Sequence, residues 1–103
     1  MDRIAQLKAF LESSPQDSFL KHALALEYIK IQEDGNARKV FEELLENEPT
    51  YVGSYYHLGK LLERTGETEA AIAVYEKGMY IAWEEKDMHA YNELQAAHED
   101  LTD

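Results

Sequence analysis

The sequence predicts an all-α fold, a helix-turn-helix repeat solenoid of about six helices, from three observations. Between Tyr51 and Trp83, the residues Tyr55, Leu58, Gly59, Leu62, Gly66, Ala71, Tyr75 and Gly78 fall at spacings that describe two helices packed as a hairpin. Displaced by 34 residues the pattern returns, with Leu24 under Leu58, Ala25 under Gly59, Tyr28 under Leu62, Ala37 under Ala71, Phe41 under Tyr75 and Leu44 under Gly78. Pro15, Pro49 and Trp83 mark the same interval. A period of this length belongs to hairpins that each bury an apolar face against a neighbouring unit.

The elements follow in order within one expected domain, 1–103. Residues 1–14 are predicted to form a half-repeat helix, since Ile4, Leu7, Phe10 and Leu11 make one apolar stripe. Ser14-Pro15 ends it, and Ser14 with Asp17 reads as an N-cap for the next helix. Repeat one spans 18–51: a first helix carrying Phe19, Leu20, Ala23, Leu24, Leu26, Tyr28 and Ile31, a turn expected at Asp34-Gly35-Asn36, and a return helix with Ala37, Val40, Phe41, Leu44 and Leu45 inward. Asn47-Glu48-Pro49 stops it. Repeat two, 52–85, turns at Thr65-Gly66-Glu67-Thr68. Its Gly59 and Gly78 stand inside helices, where glycine costs about 1 kcal/mol against alanine, and close helix-helix approach is the expected compensation. Residues 86–103 form a C-terminal capping helix with Tyr91, Leu94 and Leu101 on one side.

Composition narrows the function. The 103 residues carry 45% hydrophobic and 30% charged side chains with two prolines, which suits one small globular domain. With no cysteine, a disulfide, a thiolate metal site and a Cys nucleophile are excluded. The formal charge of −11 repels phosphate backbones and anionic lipid, so neither nucleic acid nor membrane is an expected partner. The start of the chain lacks the apolar run of a signal peptide, and the expected location is cytoplasmic. Met1 and the polar ending read as a complete small protein.

These residues resemble the tetratricopeptide repeat family. Repeat two carries the family's large aromatic as Tyr55, its Leu-Gly pair as Leu58-Gly59, the turn glycine as Gly66, the small residue as Ala71 and the second aromatic as Tyr75. Repeat one matches at Leu24-Ala25, Tyr28, Ala37, Phe41 and Pro49, but has Lys21 at the aromatic position and Gln32 at the turn glycine. The resemblance implies a right-handed solenoid that binds a peptide or partner segment along the concave face of each repeat's first helix. Carried over position by position, it nominates His22, Leu26, Ile29, Lys30, Tyr56, His57, Lys60, Arg64, Tyr91 and Leu94 as partner-binding residues. Family members that grip a C-terminal carboxylate place Lys and Asn where this chain has His22, Leu26, Asp87 and Tyr91, so that ligand is not expected. An amphipathic protein segment is.

Competing chemistry is weak. His22, His57, His89 and His98 include no i, i+4 pair, so no metal site is expected. The chain has no Gly-rich phosphate loop, no Gly-x-Ser-x-Gly elbow and no His-Glu-x-x-His, and the reading is of a non-enzyme without cofactors. Met79 and Met88 are expected to fill gaps in the core. The alternative function is self-association as a homodimer, since two full repeats fall short of the usual three.

Overall fold

The computed structural model describes residues 2–103; Met1 lies outside the described residues. Six helices and no strand are found among them: α1 (Arg3–Ser13), α2 (Ser18–Lys30), α3 (Asp34–Asn47), α4 (Gly53–Arg64), α5 (Thr68–Glu84) and α6 (Met88–Thr102). They form two compact units, one ending at Glu48 with α1 to α3 and one running Pro49–Asp103 with α4 to α6. No described helix is long and apolar enough to cross a membrane.

Local chemistry sets the helix ends. Asp2, Asp17 and Asp87 each accept a hydrogen bond on the side chain from a backbone N–H three residues on, at 2.9, 3.1 and 3.0 Å, which satisfies one of the first-turn donors of α1, α2 and α6. Asp17, not the expected Ser14, therefore caps α2. An aspartate directly before the first helical residue reaches the free N–H groups, whereas Ser14 closes α1 by donating its own N–H to Phe10 O.

The turns of α2, α5 and the α4–α5 hairpin share one geometry. Gln32, Gly66 and Lys86 take φ of 59°, 84° and 60°, and the following residue donates its N–H back to Tyr28 O, Leu62 O and Ala82 O at 2.9, 2.8 and 2.9 Å. These are Schellman motifs, in which one left-handed residue lets the chain reverse and pairs the last helical carbonyls. The first hairpin thus turns at Gln32. Asp34-Gly35-Asn36, expected as the turn, is the first turn of α3, because glycine and asparagine permit positive φ without requiring it.

Unit one packs α2 against both α1 and α3. Its core is Leu7, Leu24, Ala25, Tyr28, Ala37, Phe41, Leu44 and Leu45. Lys21, where an aromatic was the family pattern, is buried among them, with Nζ 3.2 Å from Glu43 Oε1 at the surface and 3.5 Å from Gln16 Oε1. Its aliphatic stem fills core space while the ammonium reaches a carboxylate. Ser18 Oγ ties the start of α2 to the end of α3 by donating to Glu48 Oε1 at 2.8 Å. Phe10, expected in the stripe of α1, is 55% exposed because one short helix covers α2 with Leu7.

Unit two packs α5 against α4 and α6, with α6 also touching α4. Two tyrosines cross two glycines reciprocally. Tyr75 of α5 lies over Gly59 of α4, and a Cβ built on Gly59 would stand 2.7 Å or less from three of its ring carbons. Tyr55 of α4 lies over Gly78 of α5, where a Cβ would meet Tyr55 Cβ at 2.7 Å and Leu94 Cδ1 at 3.0 Å. Both rings are buried, and the Tyr55 hydroxyl donates to Pro49 O at 2.7 Å. Close approach of α4 and α5 thus explains both glycines. Met88, expected as core filler, is 42% exposed at the first residue of α6.

Candidate partner-binding site

Each unit presents one stripe of candidate residues on the first helix of its hairpin. On α2, His22, Leu26, Ile29 and Lys30 recur at i, i+4, i+7 and i+8, so they share a face. His22, Leu26 and Ile29 are half-buried and Lys30 is exposed. The His22 ring stands edge-on to Phe41 at 5.8 Å, and Lys30 Nζ pairs with Glu27 Oε2 at 2.9 Å.

The α4 stripe is more organised. Tyr56, His57 and Lys60 are half-buried, the first two adjacent and Lys60 one turn on, with Arg64 a further turn on at the C-terminal end of the helix, where a cation complements the helix dipole. Tyr56 and His57 meet edge to face at 5.7 Å, and Lys60 Nζ sits 5.6 Å from the centre of the Tyr56 ring. Lys60 also reaches Glu63 Oε2 at 3.6 Å. That carboxylate accepts a hydrogen bond from the Tyr75 hydroxyl, which arrives from α5 across the bare backbone of Gly59. Gly59 therefore does two things: it lets α5 approach, and it opens the path by which Tyr75 fixes Glu63.

The electrostatics follow from this burial. Burial pushes the Tyr75 phenol well above the ordinary tyrosine value, and the hydrogen bond and charge of Glu63, with Tyr56 and Asp100 nearby, push it the same way. Burial lowers His57, partly offset by the Glu93 carboxylate of α6. Glu93 and Asp100 are seven residues apart on α6, one face of that helix. The α4 stripe is therefore an aromatic anchor held between an imidazole edge and an ammonium, with Glu63, Glu93 and Asp100 in its electrostatic surroundings. Such a surface can hold an apolar side chain against Tyr56 and a cation beside it.

Two nominated residues stand elsewhere. Leu94 is 0% exposed and packs toward Gly78, so it is core and offers nothing to a partner. α6 turns this apolar residue inward, onto α5. Tyr91 packs edge-on to Trp83 of α5 at 5.4 Å. It is two positions from Glu93, about 200° around a helix, so it is not on the side of α6 that neighbours His57. Sequence reasoning missed Glu93 and the Tyr75–Glu63 bond, for which the signal was Gly59, one turn before Glu63 and opposite Tyr75 in the hairpin. Among the described residues, no group of three or more His, Asp or Glu is placed to hold a metal ion, and no buried side-chain polar atom lacks a hydrogen-bond partner.

A family model, the tetratricopeptide repeat, matches residues 40–73. Among solved structures, the chain is similar to a tetratricopeptide repeat domain protein from Salinibacter ruber, with 44% identity over 84% of this chain and 96% of that one and a TM-score of 0.79 in its crystal structure. A solution NMR structure of such a protein from the same organism gives 45% identity over 84% and 88% of the two chains and a TM-score of 0.81. A protein from Bordetella parapertussis shares the fold at 24% identity, 99% and 89% coverage and a TM-score of 0.85. No curated protein matches the chain.

Proposed function

The chain belongs to the tetratricopeptide repeat family, a family of protein–protein interaction modules that are generally not enzymes, and from that premise we propose that it holds an amphipathic partner segment on the α4 stripe. The contact is made through Tyr56, His57, Lys60 and Arg64; the α2 stripe of His22, Leu26, Ile29 and Lys30 is a separate candidate surface of its own unit. The observation that carries this reading is Tyr56, a large half-buried ring already oriented by His57 and Lys60. Pre-orienting an aromatic anchor reduces the entropy lost on binding, which is how such residues come to dominate interfaces. The favoured segment sets an apolar side chain against Tyr56 and a Lys or Arg toward Glu63 and Glu93.

The test is capture from a cell lysate with the parent chain beside the Tyr56→Ala, His57→Ala, Lys60→Ala triple variant, both checked for helix by circular dichroism. Enrichment of one protein by the parent and its loss from the folded variant supports the proposal. Capture of the same proteins by both removes the α4 stripe as the binding surface.

Self-association has its own observation, the exposure of Phe10 on α1 and Phe19 on α2. Sedimentation of the parent over a hundredfold concentration range, beside Phe10→Ser, tests it. A single monomer at every concentration rules it out.

A further inference from the structure

The exposed large hydrophobic residues of the second unit are concentrated in one place. Tyr80 is 64% exposed, Trp83 59% and Met88 42%, and they lie within nine residues at the corner where α5 passes into α6. Tyr80 and Trp83 are one turn apart on α5, Met88 and Tyr91 one turn apart on α6, and the Trp83–Tyr91 ring pair joins the two helices. The 34-residue interval puts Pro15 and Pro49 where this unit has Trp83, so repeat packing does not call for an indole there. Tyr and Trp are the residues most often found as interface anchors, and a cluster of them left in water marks a contact surface.

The charge around the corner identifies the partner's chemistry. Glu84 and Glu85 are exposed, and Glu84 Oε1 lies 3.4 Å from the Tyr80 hydroxyl. The C-terminal end of α5 carries the negative pole of its helix dipole with no basic residue in the last turn. The opposing positive pole at the start of α6 is already capped by Asp87. From 84 to 103 the chain holds Glu84, Glu85, Asp87, Glu93, Glu99, Asp100 and Asp103 against Lys86 alone. A second copy would bring the same acids to the same place, and each copy carries −11, so a matching face-to-face pair is repelled.

We propose that the α5–α6 corner, centred on Tyr80, Trp83 and Met88 with Glu84 and Glu85 beside them, is a second docking surface that takes a cationic amphipathic segment of a partner protein. Apolar residues of the segment cover the rings, and its Lys or Arg residues meet the two glutamates and the end of α5. The surface is distinct from the α4 stripe, because Tyr91 and Glu93 look to different sides of α6.

Trp83 is the only tryptophan, so its emission reports on this corner alone. The full chain is titrated with three fluorescein-labelled synthetic helical peptides of equal length: Leu/Lys amphipathic, Leu/Glu with the same apolar spacing, and Ser/Lys with the same charge. The expected result is saturable binding of the Leu/Lys peptide with a blue shift of Trp83 emission, and binding at least tenfold weaker for the other two peptides. Tyr80→Ser and the double variant Glu84→Lys, Glu85→Lys each weaken the Leu/Lys peptide tenfold or more; both change exposed side chains, and circular dichroism confirms retained helix. Equal binding of the Leu/Glu or the Ser/Lys peptide overturns the proposal, since apolar contact or charge alone then accounts for it. Loss of binding in Tyr56→Ala with none in Tyr80→Ser also overturns it and leaves the α4 stripe standing. An emission shift that follows the concentration of the chain itself assigns the corner to a second copy instead.

Discussion

A methyl group added at residue 59 tests the central contact of the second unit. In Gly59→Ala the new Cβ would lie 2.7 Å or less from three carbons of the Tyr75 ring, so ring or helix must move by about 1.5 Å to restore ordinary contact. The ring has little freedom, being fully buried with its hydroxyl bonded to Glu63. Overpacking of this kind costs about 1–3 kcal/mol, and loosening a hydrogen bond to a charged group about 1.5–3 kcal/mol. Replacing a mid-helix glycine returns about 1 kcal/mol, so the net loss expected is about 1.5–5 kcal/mol. In a domain of this size each kcal/mol moves the melting temperature by about 4–8 °C, so the drop should be about 10 °C or more. Thermal and urea unfolding followed by circular dichroism measure it. Gly35→Ala is the control, because a Cβ there meets nothing within 4 Å, and it should leave stability unchanged or raise it by up to about 1 kcal/mol. In a Tyr75→Leu background Gly59→Ala should cost at least about 1 kcal/mol less than in the parent. A Gly59→Ala chain that melts at or above the parent temperature refutes the crossing as the reason for the glycine.

Three further outcomes are expected. Gln32→Gly and Lys86→Gly relieve side chains held at positive φ and should each raise stability by about 1 kcal/mol in urea unfolding, whereas Gly66→Ala should lower it. Lys21→Met keeps the buried stem and removes the ammonium, and should change stability by less than about 1.5 kcal/mol; Lys21→Glu sets a carboxylate in the core beside Glu43 and should cost about 3–5 kcal/mol. Burial holds the Tyr55 and Tyr75 phenols above their unfolded value of 10.0, so their contribution is fully present below that pH and lost as pH rises beyond it, because the unfolded chain releases those protons first. Urea midpoints should therefore fall above about pH 10, less steeply in Tyr75→Phe.

The 34-residue interval was enough to read the helices and most of the core, since buried positions such as Leu24, Ala25, Phe41, Leu58 and Tyr75 obey both the interval and the helical spacing. It also held the turn: 34 residues before Gly66 is Gln32, which takes the same left-handed geometry. Residue preference pointed instead to Gly35, because preference records what a residue tolerates and the interval records what the backbone must do. Each of the α2 and α4 stripes was legible as a single face. Leu94 and Tyr91 were not, because they were placed by extending the repeat into α6, whose Leu94 is spent on the contact with Gly78 and whose Tyr91 pairs with Trp83 of α5. The Tyr75–Glu63 bond was invisible for another reason: it depends on the crossing of two helices, which no spacing along one helix specifies.

The reciprocal tyrosine–glycine crossings also bear on how quickly this chain reaches its native state. Both contacts close within one hairpin of sequence, so little chain entropy is lost before they form. Chains whose contacts are local fold in microseconds to milliseconds. The α4–α5 hairpin is therefore the natural nucleus of its unit, with α6 adding Leu94 against an interface already made. Truncating Tyr75 should slow refolding as well as weaken the product, whereas changes in the outer part of α6 should mainly speed unfolding.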